Sequence, residues 1–224
     1  AGGGSMSARC DPALLPPIPD LRFEQALWAG GMLRVGGIDE AGRGPLAGPV
    51  SAAVVILPSQ ASLVEQLAGV RDSKQMTPLQ RQAASILIKE VALAHAVGFA
   101  EASEIDALGI LPATRLAAWR ALQALALPAE HLLLDCLFLP EMEIPQTSLI
   151  KGDRRSLSIA AASVLAKTAR DARLVEMEQQ YPGYGFARHK GYGTAAHREA
   201  LQRLGPCAQH RHSFHLKAHN RLGP

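Results

Sequence analysis

The sequence predicts an α/β fold with a mixed sheet, and three observations support that class. Two apolar segments rich in β-branched residues flank a glycine-rich turn, which is typical of a hairpin. Segments with helical periodicity then alternate with further short apolar runs. Strands first, followed by alternating strands and helices, favour a mixed sheet covered by helices.

The first half of the chain contains the predicted hairpin and one well-marked helix. A short amphipathic segment up to Trp28 could be helical. Residues 33–39 and 50–57 are predicted strands, and residues 39–49 between them, with four Gly or Pro breaks, a turn. Thr77 as N-cap and Pro78 at the first position begin a helix that extends to about residue 94. Residues 92–99 are either another strand or the end of that helix.

The second half alternates strands and helices. Helices are expected over residues 102–105, 113–125 and 158–180, and short strands over residues 131–137 and up to residue 152. Residues 181–194 contain too many Gly, Pro and Tyr residues for regular structure. A final helix over residues 194–204 is expected to end at Gly205.

Length and composition indicate one domain with an appendage. The 224 residues, 48% of them hydrophobic, suffice for a full core. We expect an N-terminal tail over residues 1–30, a main domain over 31–180, and a C-terminal appendage over 181–224 packed on it. Residues 1–5 are expected to be foreign to the native chain, which would begin at Met6.

Cysteine content and hydropathy predict a cytoplasmic protein that does not cross a membrane. Three cysteines with no CxxC spacing argue against a disulfide framework or a thiolate zinc site, and fit a reducing cytosol. No run approaches the roughly 18 apolar residues of a membrane span, and no signal peptide is visible. Because no large exposed apolar pattern demands a partner, a monomer is expected.

Charge is unevenly distributed along the chain. The formal net charge is only +3, yet 13 of the 23 Lys and Arg residues and six of the eight His lie from Lys151 onward. Such a basic region could face a polyanion, or it could simply be a solvated surface.

Four acids stand where apolar strands are predicted. Asp39 and Glu40 close the first strand, Asp135 interrupts the run from 132 to 138, and Asp153 follows the strand that ends at residue 152. Any one of them could cap a helix or form a salt bridge. If the strand ends converge, however, their mutual repulsion would be resolved by Mg²⁺ or Mn²⁺, which prefer carboxylate oxygen.

The segment DEAGRGPLAGP from Asp39 to Pro49 joins two of these acids to Gly42-Arg43-Gly44. Glycines allow the backbone to approach a ligand closely, and Arg43 suits a phosphate or a structural carboxylate. A tight turn with Arg43 exposed would explain the glycines but not the acids. No dinucleotide fingerprint or phosphate-binding Gly-Lys-Ser/Thr sequence is present.

The chain resembles the type 2 ribonucleases H, and most closely bacterial ribonuclease HII. The resemblance extends from about residue 34 to residue 214. It rests on long motifs in order: IDEAGRGPLAGPV from Ile38, DSK from Asp72, KGD from Lys151, SIAAASVLAKTARD from Ser158, YPGYGFARHKGYGT from Tyr181 and HRHSF from His210.

The resemblance implies a ribonuclease-H-like fold, with a mixed five-stranded sheet flanked by helices and a small helical C-terminal appendage. It implies that the catalytic, metal-binding acids are Asp39, Glu40, Asp135 and Asp153. It further implies that the ribonucleotide is contacted by Gly42, Arg43, Gly44 and Tyr192. Lys167, Arg170, Arg188 and Lys190 are candidates for phosphate contacts. Lys74 is expected either to reach the phosphate backbone or to brace Asp72.

The predicted activity is endonucleolytic cutting of the RNA strand of RNA/DNA hybrids, and cutting on the 5′ side of single ribonucleotides embedded in duplex DNA. Two divalent cations, Mn²⁺ or Mg²⁺, would support hydrolysis that leaves a 3′-hydroxyl and a 5′-phosphate. The 2′-hydroxyl would be recognised without attacking, through C=O and N–H groups of Gly42 and Gly44.

Two departures from the family pattern affect fine geometry. The third acid is followed by Cys136 where the family has Gly, and we expect that side chain to point into the core. The Asn usual near Gly109 is missing. Asp171 is expected to pair with Arg170 or Arg173, or to order the site from behind, and Trp28 and Trp119 are expected in the core.

Three alternatives remain open from the residues. His189, His210, His212 and His215 could serve a metal-independent ribonuclease in which the 2′-hydroxyl attacks. The fold could instead be a nucleic-acid-binding module without catalysis. The histidines of the tail could bind zinc, although they lack thiolate partners and paired helical spacing.

Overall fold

The computed structural model describes residues 15–214. Expectations for residues 1–14 and 215–224, including Met6 and His215, lie outside the described residues. The elements are α1 (Arg22–Ala29), β1 (Val35–Ala41), β2 (Val50–Ile56), α2 (Leu63–Gln66), α3 (Pro78–Val91), β3 (Ala94–Ala100), α4 (Ala102–Leu108), α5 (Ile110–Gln123), β4 (His131–Asp135), β5 (Gln146–Leu149), α6 (Leu157–Gln180), α7 (Phe186–His189) and α8 (Ala195–Leu204). Short 3₁₀ turns occupy Ser73–Gln75 and Gly152–Arg154.

The five strands form one mixed sheet in the order β3-β2-β1-β4-β5. β2 runs antiparallel to both β1 and β3, whereas β4 runs parallel to both β1 and β5. The predicted fold class is therefore confirmed. Because β1 and β4 are parallel neighbours, their carboxyl ends lie side by side at one edge of the sheet.

The predicted hairpin is confirmed, but its first strand is longer than expected. β1 continues through Asp39 and Glu40 to Ala41, where we predicted a turn, because β2 offers small partners to extend the ladder. Asp39 lies opposite Ala53, and Glu40 lies opposite Ala52. The acids are consequently held on a rigid strand instead of a loop.

Helices cover both faces of the sheet. The Ala-rich first half of α6 packs on one face with the side chains of Ala53 and Val55, and α5 packs on the other with Val54. Two glycines allow this close approach. A Cβ on Gly37 would lie 2.2 Å from the backbone of Ser158, and one on Gly98 would lie 2.2 Å from the carbonyl oxygen of Ala117.

The boundaries of α3 and β3 settle one open alternative. Thr77 caps α3 in a capping box with Gln80, as its sequence predicted. The helix ends at Val91, and Ala94–Ala100 is a strand paired along β2. The segment from residue 92 is thus a strand and not the end of the helix.

The C-terminal residues pack on the second half of α6. Contrary to expectation, residues 181–194 contain a short helix, α7, between Gly185 (φ 81°) and Lys190 (φ 52°). Burial of Phe186 against Leu174 and Met177 stabilises it, which local composition did not reveal. α8 begins after the N-cap Thr194 and ends at Gly205, as predicted.

α1 binds the start of α6. The buried carboxylate of Glu24 accepts hydrogen bonds from the Ser156 hydroxyl (2.6 Å) and from the backbone N–H of Ser158 (2.9 Å). Trp28 packs partly buried against the core. Trp119 is 46% exposed on α5, so its predicted core position is wrong.

Candidate active site

Three carboxylates meet where the central parallel strands end. Ile38 of β1 is in register with Leu134 of β4, so Asp39 and Asp135 follow side by side. Asp153 joins them from the 3₁₀ turn after β5, not from a strand end. Each offers an oxygen such that the three oxygens lie within 4.8 Å of one another.

The environment of these acids disfavours three negative charges. Burial, reinforced by Glu40 and Asp135, raises the pKa of Asp39 well above its usual value. Burial, with repulsion from Asp135 and Asp72, raises the pKa of Asp153 to about 7. Burial also raises the pKa of Asp135, although the N–H of Gly152 donates to that carboxylate at 2.7 Å. A nearby cation would relieve this repulsion.

Glu40 stands beside this trio without belonging to it. Its Oε1 pairs with Arg43 at 3.1 Å, while its Oε2 is buried and has no hydrogen-bond partner among residues 15–214. Burial raises the pKa of Glu40, and Arg43 opposes that rise. An orphaned carboxylate oxygen next to three crowded carboxylates fits a hard divalent cation, since all the donors offered are carboxylate oxygens.

A cleft of about 550 Å³ adjoins these acids. Six of the residues predicted to contact substrate line it together with Glu40, whereas Arg170, Arg188 and Lys190 do not; the six are Gly42, Arg43, Gly44, Lys74, Lys167 and Tyr192. Arg43 and Gly44 are exposed, and Tyr192 is 44% exposed. The cleft therefore combines backbone groups, an aromatic ring and three cationic side chains within reach of the carboxylates.

The glycine loop is held from behind by two buried arginines. Arg211 donates to the carbonyl oxygens of Gly42 (2.6 Å), Arg43 (3.0 Å) and Gly48 (2.9 Å). Arg170 is fully buried and donates to the carbonyls of Ala47, Pro49 and Lys190. Our expectation that Arg170 contacts phosphates is therefore wrong, because all three nitrogens of its buried guanidinium donate to backbone carbonyls.

The packing of Arg170 against the glycine loop requires a glycine at position 42. Its φ is +94°, and a Cβ there would lie 2.0 Å from Nε of Arg170. Gly44 differs, because no atom lies within 4 Å of a Cβ placed on it. Gly42 thus has a structural requirement of its own, whereas Gly44 faces open space in the cleft.

The two cleft lysines have different surroundings. Lys167 pairs with Asp171 at 2.7 Å and lies 6.0 Å from the centre of the Tyr192 ring. Asp171 also pairs with Arg81 at 3.5 Å, so its predicted partners Arg170 and Arg173 are wrong. Burial alone would lower the pKa of Lys74, but the surrounding acids, led by Asp39, raise it. Asp72 is braced by the backbone N–H of Lys74 at 3.0 Å, which leaves the Lys74 ammonium beside the acid cluster.

Cys136 does not point into the core. It is exposed, with φ of +46°, and its thiol lies 3.7 Å from the carbonyl oxygen of Leu149. The left-handed backbone that follows Asp135 explains why glycine suits this position. The expectation of a buried thiol is therefore wrong.

The described histidines of the C-terminal part, up to His212, do not line the cleft. His197 and His210 are buried with their Nε2 atoms 3.0 Å apart, and His189 stacks on His197 with 4.3 Å between ring centres. Within residues 15–214, the only group arranged to hold a metal ion is the aspartate trio. These observations favour neither a histidine-based ribonuclease nor a zinc site.

Sequence reasoning missed two residues that shape the site. Ser163 of α6 lies close enough to Asp39 to lower the pKa of that carboxyl, and its hydroxyl lies 2.9 Å from the hydroxyl of Ser73. It stands within an Ala-rich apolar stretch, the same signal that singled out Asp135. Arg211 lies in the HRHSF motif, which supported the resemblance but was given no role.

None of the helices within residues 15–214 has the length and apolar character needed to cross a membrane.

Comparison with known proteins places these features in a family. The sequence model of the family described as Ribonuclease HII matches residues 36–217. The ribonuclease HII of Synechococcus sp. (strain JA-3-3Ab) is 55% identical over 196 residues, covering 88% of each chain. That of Moorella thermoacetica is 52% identical over 192 residues, covering 86% of this chain and 91% of that one.

A solved structure agrees with the fold. The crystal structure of ribonuclease H2 from Pyrococcus horikoshii OT3 superposes with a TM-score of 0.66 at 25% identity. The superposition covers 81% of this chain and 93% of that one.

Proposed function

The chain belongs to the ribonuclease HII family and is a ribonuclease H, and on that premise we propose that it has two substrates. It cuts the RNA strand of RNA/DNA hybrids, and it cuts on the 5′ side of single ribonucleotides embedded in duplex DNA. The products carry a 3′-hydroxyl and a 5′-phosphate. The observation that supports this most directly is the convergence of Asp39, Asp135 and Asp153 within 4.8 Å, next to the glycine-lined cleft.

Asp39, Glu40, Asp135 and Asp153 would hold divalent cations, Mg²⁺ or Mn²⁺. Bound cations of this kind lower the pKa of a coordinated water and stabilise the negative charge on the departing 3′-oxygen. The fit rests on the donor set, which is made of carboxylates, and on the orphaned Oε2 of Glu40. The N–H of Gly152 orients Asp135, and the hydroxyl of Ser163 favours the ionised form of Asp39.

The cleft supplies the means to recognise one ribonucleotide. The exposed backbone of Arg43 and Gly44 can approach a 2′-hydroxyl, which donates to C=O and accepts from N–H. The carbonyl of Gly42 already accepts from Arg211 and retains a second lone pair for a hydroxyl. Such contacts suit the wide minor groove of a hybrid duplex, where 2′-hydroxyls are displayed.

Lys74, Lys167 and Tyr192 complete the cleft wall. The lysines would contact phosphates on either side of the scissile bond, and the Asp171–Arg81 pair keeps Lys167 in place. The half-exposed ring of Tyr192 would pack against the sugar at the junction with DNA. Together these groups bind and orient the strand so that its phosphate faces the carboxylates.

The test uses duplex DNA with one embedded ribonucleotide, incubated with Mg²⁺, Mn²⁺ or EDTA. We expect metal-dependent cutting on the 5′ side of the ribonucleotide, abolished by Asp39→Asn and by Asp135→Asn. Glu65→Gln, an exposed acid on α2, is the matched control and should cut normally. Equal cutting of an all-DNA duplex, full activity in the aspartate variants, or activity in excess EDTA would refute the proposal.

A further inference from the structure

The loop that presents Tyr192 to the cleft is hydrogen-bonded to a buried histidine. Tyr192 lies between α7 and α8, flanked by Gly191 and Gly193, outside any helix or strand. Its carbonyl oxygen accepts from the N–H of Thr194 at 2.8 Å and from Nδ1 of His197 at 3.0 Å. The His197 contact comes from the buried side of α8, since that side chain is fully buried.

The hydrogen bonds around His197 determine where each proton lies. Nδ1 of His210 lies 2.9 Å from the N–H of Cys207 and 3.2 Å from the carbonyl oxygen of Cys207. The backbone N–H can only donate and is the nearer group, so we assign the proton of His210 to Nε2. That proton is donated to Nε2 of His197 across 3.0 Å. His197 therefore carries its proton on Nδ1 and donates it to the carbonyl of Tyr192. The result is a directional relay from Cys207 through two neutral imidazoles to Tyr192.

The surroundings keep this relay uncharged. Burial lowers the pKa of His197 to about 4, and burial also lowers the pKa of His210. The titratable neighbours are His189, stacked on His197, together with His212, Tyr184 and Cys207. Positive charge on either imidazole would be opposed by the other histidines.

His210 and its neighbour Arg211 also hold the glycine loop, which lines the same cleft. Arg211, next to His210, binds the carbonyls of Gly42 and Arg43, and its N–H donates to the carbonyl of Leu46. His210 itself pairs with Ala47 in an isolated antiparallel β-bridge. His210 and Arg211 are thus adjacent in the chain; Arg211 holds the glycine loop, and His210 contacts the loop of Tyr192 through His197.

We propose that His197, oriented by His210, is the positioning residue that sets Tyr192 at the ribonucleotide, and hence the protein's discrimination between ribose and deoxyribose. This inference rests on the proposed contact between Tyr192 and the ribonucleotide. The imidazole never touches substrate; its role is to hold the backbone from which the Tyr192 ring projects.

Two variants separate the two hydrogen bonds of His197. The amide nitrogen of His197→Asn takes the place of Nδ1 and keeps the bond to Tyr192, while losing His210. The amide of His197→Gln takes the place of Nε2 and keeps His210, while losing Tyr192. Both replace a buried ring by an amide, so a purely structural role predicts similar losses. His95→Gln on β3 controls for removal of a histidine elsewhere.

The assay measures kcat/KM on DNA with one embedded ribonucleotide, per folded molecule as judged by circular dichroism. Displacement of a binding group can cost orders of magnitude in rate, so we expect His197→Gln to lose roughly 10-fold or more. His197→Asn should stay within about threefold of the parent, as expected when the relevant hydrogen bond is retained. Equal losses in the two variants would overturn the inference.

Tyr192→Ala distinguishes failure of this inference from failure of the proposed function. If Tyr192→Ala cuts normally, the proposed contact with the ribonucleotide is wrong, and the inference falls with it. If Tyr192→Ala is impaired but His197→Gln is not, only the positioning role is overturned.

A second measurement needs no variant. Imidazole ¹⁵N NMR of the intact protein at neutral pH should show His197 protonated at Nδ1 and His210 protonated at Nε2. His197 protonated at Nε2 would break the relay and overturn the inference whatever the kinetics show.

Discussion

Replacement of Asp39 by Asn tests whether this carboxylate serves to bind a cation or to stabilise the fold. Asp39, Asp135 and Asp153 have oxygens within 4.8 Å of one another. At an effective dielectric constant of about 20, two such charges repel by about 3.5 kcal/mol. Asp39 takes part in two of the three pairs, and no separation exceeds 4.8 Å, so Asp39→Asn would relieve about 7 kcal/mol or more in a fully ionised cluster.

Proton uptake reduces the effect that can be measured. Because burial raises the pKa of Asp39, the carboxyl sheds part of the repulsion by binding a proton. Asn also keeps an acceptor for the N–H of Glu40, which donates to Asp39 at 2.8 Å. In EDTA we therefore expect Asp39→Asn to unfold with a free energy equal to the parent or up to about 3 kcal/mol higher.

The assay is denaturant unfolding with EDTA and with Mg²⁺ or Mn²⁺. The parent and the control Glu65→Gln should gain stability with metal, whereas Asp39→Asn should lose most of that gain because a ligand is missing. The reasoning is refuted if Asp39→Asn is clearly less stable than the parent in EDTA, or if it keeps the full metal-induced gain.

Three further outcomes follow from individual positions. Gly42→Ala should lower the unfolding free energy by about 2 kcal/mol or more, because the added Cβ would meet Arg170 at a residue with positive φ. Gly44→Ala should keep the stability of the parent and lose only cleavage activity, since its Cβ meets no atom. Thermal melts and cleavage assays of both variants distinguish the loss of stability from the loss of activity. Cys136→Gly should raise the unfolding free energy by about 0.5–1 kcal/mol by relieving a left-handed cysteine; a clear loss in denaturant unfolding would contradict this. Burial lowers the pKa of His197 from 6.5 to about 4, so the neutral form is favoured on folding, and stability should be full above pH 6.5 and decline towards pH 4. Melting temperatures of the parent against His197→Asn should show a shallower decline in the variant, and identical pH profiles would contradict the assignment.

Local patterns predicted the elements well where the signal is chemical. The N-cap at Thr77 and the β-branched hairpin strand gave the start of α3 and the position of β2 nearly to the residue. Hydrogen-bond capping and side-chain branching act over a few residues, so a sequence window contains them. The end of β1 was wrong because continued pairing with β2 outweighed the glycine and proline content that follows.

Burial of individual side chains was predicted less well. Arg170 and Lys167 stand three residues apart in one helix, yet Arg170 is enclosed by the carbonyls of distant loops and Lys167 reaches the cleft. Trp119 is apolar enough for a core but lies on the outer side of α5. The burial of these side chains depends on contacts with distant parts of the chain, and the sequence of a single helix does not reveal those contacts.

The acids were recognisable because they contradict their surroundings. Asp135 within an apolar run and Asp39 at the end of another would be costly without compensation, and the structure gathers both with Asp153. The sequence did not reveal that Glu40 would stand apart, paired with Arg43. The first strand was predicted to end at Asp39, but β1 continues through Glu40, and adjacent residues on a strand face opposite sides.

Anomalous scattering from crystals grown with Mn²⁺ and a nucleic-acid duplex carrying one ribonucleotide would examine the metal centre itself. We expect manganese with carboxylate oxygens of Asp39, Asp135 and Asp153 at about 2.0–2.2 Å, the range for small hard cations, and Glu40 turned towards it. Manganese found only elsewhere, with these carboxylates still paired to protein groups, would contradict the proposed site.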